Sequence, residues 1–122
     1  MNILIKINNK QELKGELNDT QTSNHLVNIL PITAAANIWG EEIYFELPFT
    51  VENEIPQDIV QLGDLAYWPP GKAFCMFFGT TPVSIGGEIR PASEVTVIGK
   101  IHGDYQDLKS VNNQDLITIE LL

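Results

Sequence analysis

Cysteine occurs once in these 122 residues, and so does arginine. The lone Cys75 has no partner for an internal disulfide, so nothing staples the fold and a reducing compartment is the default. Basic residues are scarce altogether, seven against sixteen acidic, for a net charge of -9. A nucleic-acid duplex or an anionic membrane repels such a surface, so neither is an expected partner. No apolar run approaches the ~18 residues needed to span a bilayer. The first residues, Met1–Ile7, alternate like a strand and have neither a charged start nor a small-residue cleavage site. The cytoplasm is therefore the expected location. The two histidines, His25 and His102, sit in no metal-ligand spacing, with or without Cys75. No metal and no cofactor is expected. Phosphate-cradling glycine loops, internal repeats and low-complexity tracts are also missing.

What is present suffices for one compact domain, residues 1–122. A chain of this length buries roughly two-thirds of its unfolded surface, and 43% of its residues are hydrophobic. Ile3, Ile5 and Ile7 alternate with Leu4, Lys6 and Asn8, the pattern of a strand with one apolar face. Asn8-Asn9 suits a turn, and Leu13–Leu17 returns as the second strand of a hairpin. Thr22 or Ser23 is placed to cap a helix of about two turns, with Leu26, Val27, Ile29 and Leu30 on its apolar side and Pro31 ending it. Thr33–Trp39 reads as a strand, despite three alanines, because β-like residues flank them. Ile43–Leu47 is the next strand, and Pro48 and Pro56 bracket an irregular acidic segment with Glu52 and Glu54.

The most informative stretch is Gly63–Pro82. It reads as strand, turn, strand: Leu65–Trp68, the Pro69-Pro70-Gly71 turn, then Ala73–Phe78. Neighbours in a strand point to opposite sides. One of Tyr67 and Trp68, and one of Phe77 and Phe78, therefore faces away from the core, towards solvent, a loop or a ligand. Ser84–Glu88, with Gly86-Gly87, reads as a loop or short hairpin, and Arg90–Ser93 continues it. Val95–Ile101 is the last long strand, with Val95, Val97, Gly99 and Ile101 on one face. Asp104 is placed to cap a short turn holding Leu108 and Val111, and Leu116–Leu122 closes the sheet. Hairpin spacing without long alternating helices predicts a mainly β fold: a closed antiparallel barrel of about eight strands with one or two short helices.

Several residues carry possible chemistry. Aromatic side chains converging near the turn suit an apolar pocket for a small ligand. Glu41 and Glu42, beside Trp39 and Gly40, make a carboxylate pair. Adjacent strand residues diverge, however, so a solvated turn is expected before an acid–base or cation site. Arg90 is a candidate clamp for a carboxylate, although an internal salt bridge is the more ordinary use of it. Cys75 lies inside an apolar strand, where a thiol is usually an inert small hydrophobe.

The run Gly63-Asp64-Leu65-Ala66-Tyr67-Trp68-Pro69-Pro70-Gly71, followed by Cys75, Phe77-Phe78-Gly79 and Thr81-Pro82, resembles the small prokaryotic cyclophilin-like domains. Trp39–Glu42 and Glu88–Ser93 are further pieces of that pattern, which covers nearly the whole chain. The resemblance implies a minimal version of the cyclophilin barrel. It also implies a pocket, in which Phe78 keeps the place of a pocket phenylalanine while Met76 replaces a glutamine. The catalytic arginine of prolyl isomerases belongs on an earlier strand, and no arginine precedes Arg90 here. A cation at the prolyl nitrogen favours the twisted state over a barrier of ~18–20 kcal/mol. A pocket alone serves ground state and transition state alike. The expected function is thus a binding domain for a small molecule or a proline-containing peptide, with weak or no isomerase activity. Trp39, Tyr44, Tyr67, Met76, Phe78 and Arg90 are the expected groove. An active isomerase that uses Arg90, and a structural module or homodimer built on outward aromatics, are the alternatives.

Overall fold

The computed structural model describes residues 1–122. Strand makes up 43% of the chain and helix 12%, so the fold is mainly β. The elements run β1 (Asn2–Ile7), β2 (Gln11–Leu17), α1 (Gln21–Val27), β3 (Ile32–Ala35), β4 (Asn37–Trp39), β5 (Glu42–Glu46), β6 (Asp64–Trp68), β7 (Ala73–Phe77), β8 (Thr96–His102) and β9 (Leu116–Leu121). A 3-10 turn at Pro69–Gly71 joins β6 to β7, and another at Gln106–Ser110 precedes β9. All named strands belong to one sheet in the order β3-β9-β1-β2-β8-β6-β7-β5-β4, every pair antiparallel.

The two ends of that order, β3 and β4, are separated in sequence by Ala36 alone. β3 pairs with β9 and β4 pairs with β5. The backbone of Ala36 bonds Asp115 and Gln114, at 2.8 Å each, on the β9 side. One extended segment, 32–39, therefore spans the seam and turns an open sheet into a nearly closed barrel. Counted that way, β3 and β4 do the work of one strand, which is how nine elements make the expected barrel of about eight. Three alanines suit this crossing, because their side chains are too small to keep the two sheet ends apart.

Alternation fills the interior. Ile3, Ile5 and Ile7 from β1, Leu13 and Leu17 from β2, Ile43 and Phe45 from β5, Leu65 and Tyr67 from β6, Phe74 and Met76 from β7, and Ile117 and Ile119 from β9 form one core. Phe45 and Phe74 stack inside it, ring centroids 5.2 Å apart. Helix α1 adds the fully buried Leu26 to the same core.

Four expectations change. The helix cap is Thr20, whose hydroxyl accepts the Ser23 N–H at 3.1 Å; Thr22 and Ser23 lie inside the first turn. Glu54 of the acidic segment reaches back to the helix start, accepting the Gln21 and Thr22 N–H groups at 3.0 Å each. A carboxylate is favourable at that end of a helix dipole, and these N–H donors hold its pKa below the ordinary carboxylate value. The helix also stops at Val27, short of the expected Leu30.

The third change concerns β8, where Val95, Val97, Gly99 and Ile101 do not share one face. Leu65 pairs with Gly99 while Ala66 pairs with Val97, so Ile98 is an extra, bulged residue. Ile98 and Ile101 enter the barrel core, whereas Val95 and Val97 face outward. Asn18 and Ser23 take up the bulged carbonyl of Ile98, at 2.8 Å each. Gly99 is required here: a Cβ on it would collide with the backbone oxygen of Glu16 across the β2–β8 pairing. The short turn holding Leu108 and Val111 forms, but its N-cap is Tyr105, without a side-chain cap; Asp104, one residue earlier, accepts the Gln106 N–H at 2.8 Å, and Leu108 is buried.

Candidate functional site

The outer face of the barrel has a second apolar cluster. Since Ile43 and Phe45 fill the interior, Glu42 and Tyr44 of β5 point outward. Ala66 and Trp68 of β6 do the same, as do Ala73, Cys75 and Phe77 of β7. Val60, Ile89 and Val95 cover much of this face. They ride on two irregular segments that bridge the cluster, Gln57 with Val95 and Val60 with Ile89. The cover is incomplete. A cavity of about 240 Å³ remains between the strands and the 91–95 segment, lined by Trp39, Glu42, Tyr44, Trp68, Pro91, Ala92 and Val95.

Each wall is held. The Trp68 indole N–H donates to Ser93 Oγ at 2.7 Å. Its ring lies so close over Gly71 that a Cβ there would sit 2.7 Å from it. The Pro69-Pro70-Gly71 turn thus serves as a seat for the indole as well as a link between strands. Trp39 pairs directly with Glu42 across the β4–β5 turn.

Glu42 is only 6% exposed. Burial among apolar groups raises its pKa from the ordinary 4.5 to about 7, and a weak contact with the Cys75 thiol lowers it only in part. The thiol has a backbone acceptor too, the Ala73 carbonyl oxygen at 3.8 Å. No buried side-chain oxygen in the protein lacks a hydrogen-bond partner. The carboxyl of Glu42 takes no N–H or O–H donor, and the residue lines the cavity. Cys75 itself is buried; desolvation and the neighbouring Glu42 push its thiol well above the usual range.

The six residues expected to form a groove fall into three places. Trp39 and Tyr44 line the cavity. Tyr67, Met76 and Phe78 belong to the barrel core and are at most 5% exposed, so they face away from the cavity. Tyr67 ends instead in the barrel's cover: its hydroxyl accepts the Val51 N–H at 3.2 Å, and its ring stacks on Phe49, which stacks on His25. Phe77, the outward partner of Phe78, lies under the covering segments.

Arg90 is in neither group. Its Nε donates to Glu88 Oε2 at 2.6 Å, and its Nη1 lies 3.7 Å from Asp58 Oδ2. These partners raise the Arg90 pKa and lower that of Glu88. The arginine ties the covering loop down and offers no charge to the cavity. His102 pairs with Glu16 at 3.3 Å, and His25 stacks on Phe49.

Sequence reasoning placed Glu42 in a solvated turn and missed Pro91, Ala92 and Val95 as lining; it had Trp68 in the aromatic cluster suited to a pocket but not among the six groove residues. The signal for Glu42 and Trp68 was present. Period-two alternation puts Glu42 with Tyr44, and Trp68 opposite Tyr67. The covering segment carried no such signal, since its place depends on long-range bridges.

A larger cleft of about 620 Å³ lies beside Glu16, Asn18, Asp19, Asp64 and Lys100. It has no aromatic lining, and burial raises the Asp64 pKa there. Apolar walls with one convergent polar group are the usual form of a small-ligand site, which favours the smaller cavity. No helix is long and apolar enough to cross a membrane.

Over residues 1–120 the chain matches a family model described as cyclophilin-like. Among solved structures it is similar to the solution structure of a hypothetical protein from Archaeoglobus fulgidus, at 41% identity and a TM-score of 0.84, covering 100% of this chain and 95% of that one. No curated protein matches it.

Proposed function

The chain belongs to the cyclophilin-like family, and from that premise we propose that it is a binding domain whose receptor is the cavity framed by Trp39, Glu42, Tyr44 and Trp68. The guest is a small molecule or one side chain of a peptide, a proline ring among the candidates. Drug-sized sites occupy roughly 300–1,000 Å³, and this cavity, at about 240 Å³, is smaller. The observation that carries the reading is three aromatic rings and one buried carboxyl converging on a space that the covering loop leaves unfilled.

Prolyl isomerisation is weak or absent on this reading. Stabilising the twisted amide calls for a cation at the prolyl nitrogen, and no lysine or arginine lines the cavity. Arg90 is committed to Glu88 and Asp58. Burial of a proline ring would bind ground and transition states equally.

The test uses the two tryptophans, Trp39 and Trp68, which are the only ones in the chain and both line the cavity. A panel of small apolar fragments and short proline peptides is titrated while the two indole N–H resonances are followed by NMR. Saturable movement of both supports the assignment. A panel that shifts resonances elsewhere and leaves both indoles unmoved overturns it.

A further inference from the structure

Glu42 is the only acid lining the cavity, it is nine-tenths buried, and its carboxyl has no N–H or O–H partner, the Cys75 thiol being the one donor beside it. Three electron-rich rings stand beside it. We propose that the cavity selects a small organic cation, an alkylammonium group, with Glu42 as counter-charge and Trp39, Tyr44 and Trp68 against its alkyl surface. This rests on the cavity being the binding site, and it goes further by naming the class of guest.

A buried carboxylate is costly unless an opposite charge pairs with it, and the protein supplies none. β4 offers Trp39, β5 offers Tyr44, β6 offers Trp68, β7 offers Cys75, and the covering segment offers Pro91, Ala92 and Val95. None is cationic. Lys6, Lys72 and Arg90 are paired elsewhere, with Glu120, Glu46 and Glu88. The faces of the three rings attract cations, tryptophan most strongly. An anionic guest would meet Glu42 and no donor cation. A neutral guest would gain nothing from the ionised carboxylate.

A linked proton follows. Burial raises Glu42 to about 7, so below that pH the free site holds a neutral acid. A bound cation favours the carboxylate and drives the proton off. Affinity for a cation therefore rises with pH up to about 7 and levels off above it.

The experiment compares two probes of nearly the same shape, choline and its uncharged carbon counterpart 3,3-dimethylbutan-1-ol, by tryptophan emission and the indole N–H resonances. Choline is expected to bind saturably and about tenfold more tightly than the alcohol, the scale of a desolvated cation–π contact with a counter-charge. Glu42→Gln, with its fold checked by NMR, should lower choline affinity about tenfold and leave the alcohol unchanged. Choline affinity should rise between about pH 6 and about pH 8 in the native protein and stay flat in the variant. Trp39→Leu should weaken choline binding with the carboxyl intact. Equal affinity for the two probes, or choline binding indifferent to Glu42→Gln, overturns the cation assignment and leaves the cavity a binding site. If neither these probes nor the fragment panel moves the indoles, the site and the cation assignment both fall.

Discussion

Replacing Glu42 by glutamine should make the protein more stable at alkaline pH, by an amount that the buried carboxyl sets. In the folded chain Glu42 titrates at about 7 instead of 4.5. The folded state therefore holds a proton that the unfolded chain has already released, and stability falls as pH rises from 4.5 to about 7. At about 1.4 kcal/mol for each tenfold change in proton affinity, the ionised carboxylate costs the fold about 3 kcal/mol at pH 8. Glutamine keeps the shape and never ionises. Native and Glu42→Gln proteins should be nearly equal in stability near pH 4. They should separate through pH 6 and differ by about 3 kcal/mol at pH 8, an increase of about 10 °C in Tm for a chain of this size. Urea denaturation at four or five pH values measures this directly. The other shifted carboxyls, Asp64, Glu54 and Glu88, are common to both proteins and cancel in the difference. Two curves that stay parallel from pH 4 to pH 8 would refute the account of Glu42 as a desolvated acid.

Three further outcomes are expected. Gly99→Ala forces a methyl group into the Glu16 carbonyl and should cost about 1–3 kcal/mol or more, as overpacking does; an unchanged denaturation midpoint would mean that β2 and β8 do not meet as described. Cys75 should label with a thiol reagent only at the rate of global unfolding, because it is buried and its thiol is held protonated; fast labelling of the folded protein would contradict that. In a protease-coupled assay with a proline peptide, the native protein should leave the uncatalysed rate unchanged. Turnover that Arg90→Ala abolishes would restore that residue as a catalyst.

The barrel was legible in the sequence because its interior is written in period two. Ile3-Ile5-Ile7, Ile43-Phe45 and Ile117-Ile119 each name their own facing. The strand–turn–strand unit around Pro69-Pro70-Gly71 was likewise plain, since proline and glycine fix the turn locally. The bulge at Ile98 was not legible. One inserted residue reverses the facing of everything before it, and the reason for it lies in Asn18 and Ser23, far away in sequence. The site was half legible for a related reason. Trp39 and Tyr44 were expected to contact a ligand and do line the cavity, while Tyr67, Met76 and Phe78 turned inward with the phase of their strands. Glu42 was misjudged because a carboxylate next to a turn is normally wet; here the 91–95 segment, brought over by the Gln57–Val95 bridge, dries it.

The way segment 32–39 joins both margins of the sheet has a consequence for how the chain assembles. β9 is the last strand in chain order, yet it lies between β1 and β3, two of the earlier ones. Until β9 takes its place, β1 and β3 each present a row of unanswered amide groups, open to any passing strand. Folding must wait on contacts between the extremes of the sequence, a topology that slows the search for the native state. Deleting 116–122 should accordingly give not a frayed cylinder but a chain that pairs with its neighbours.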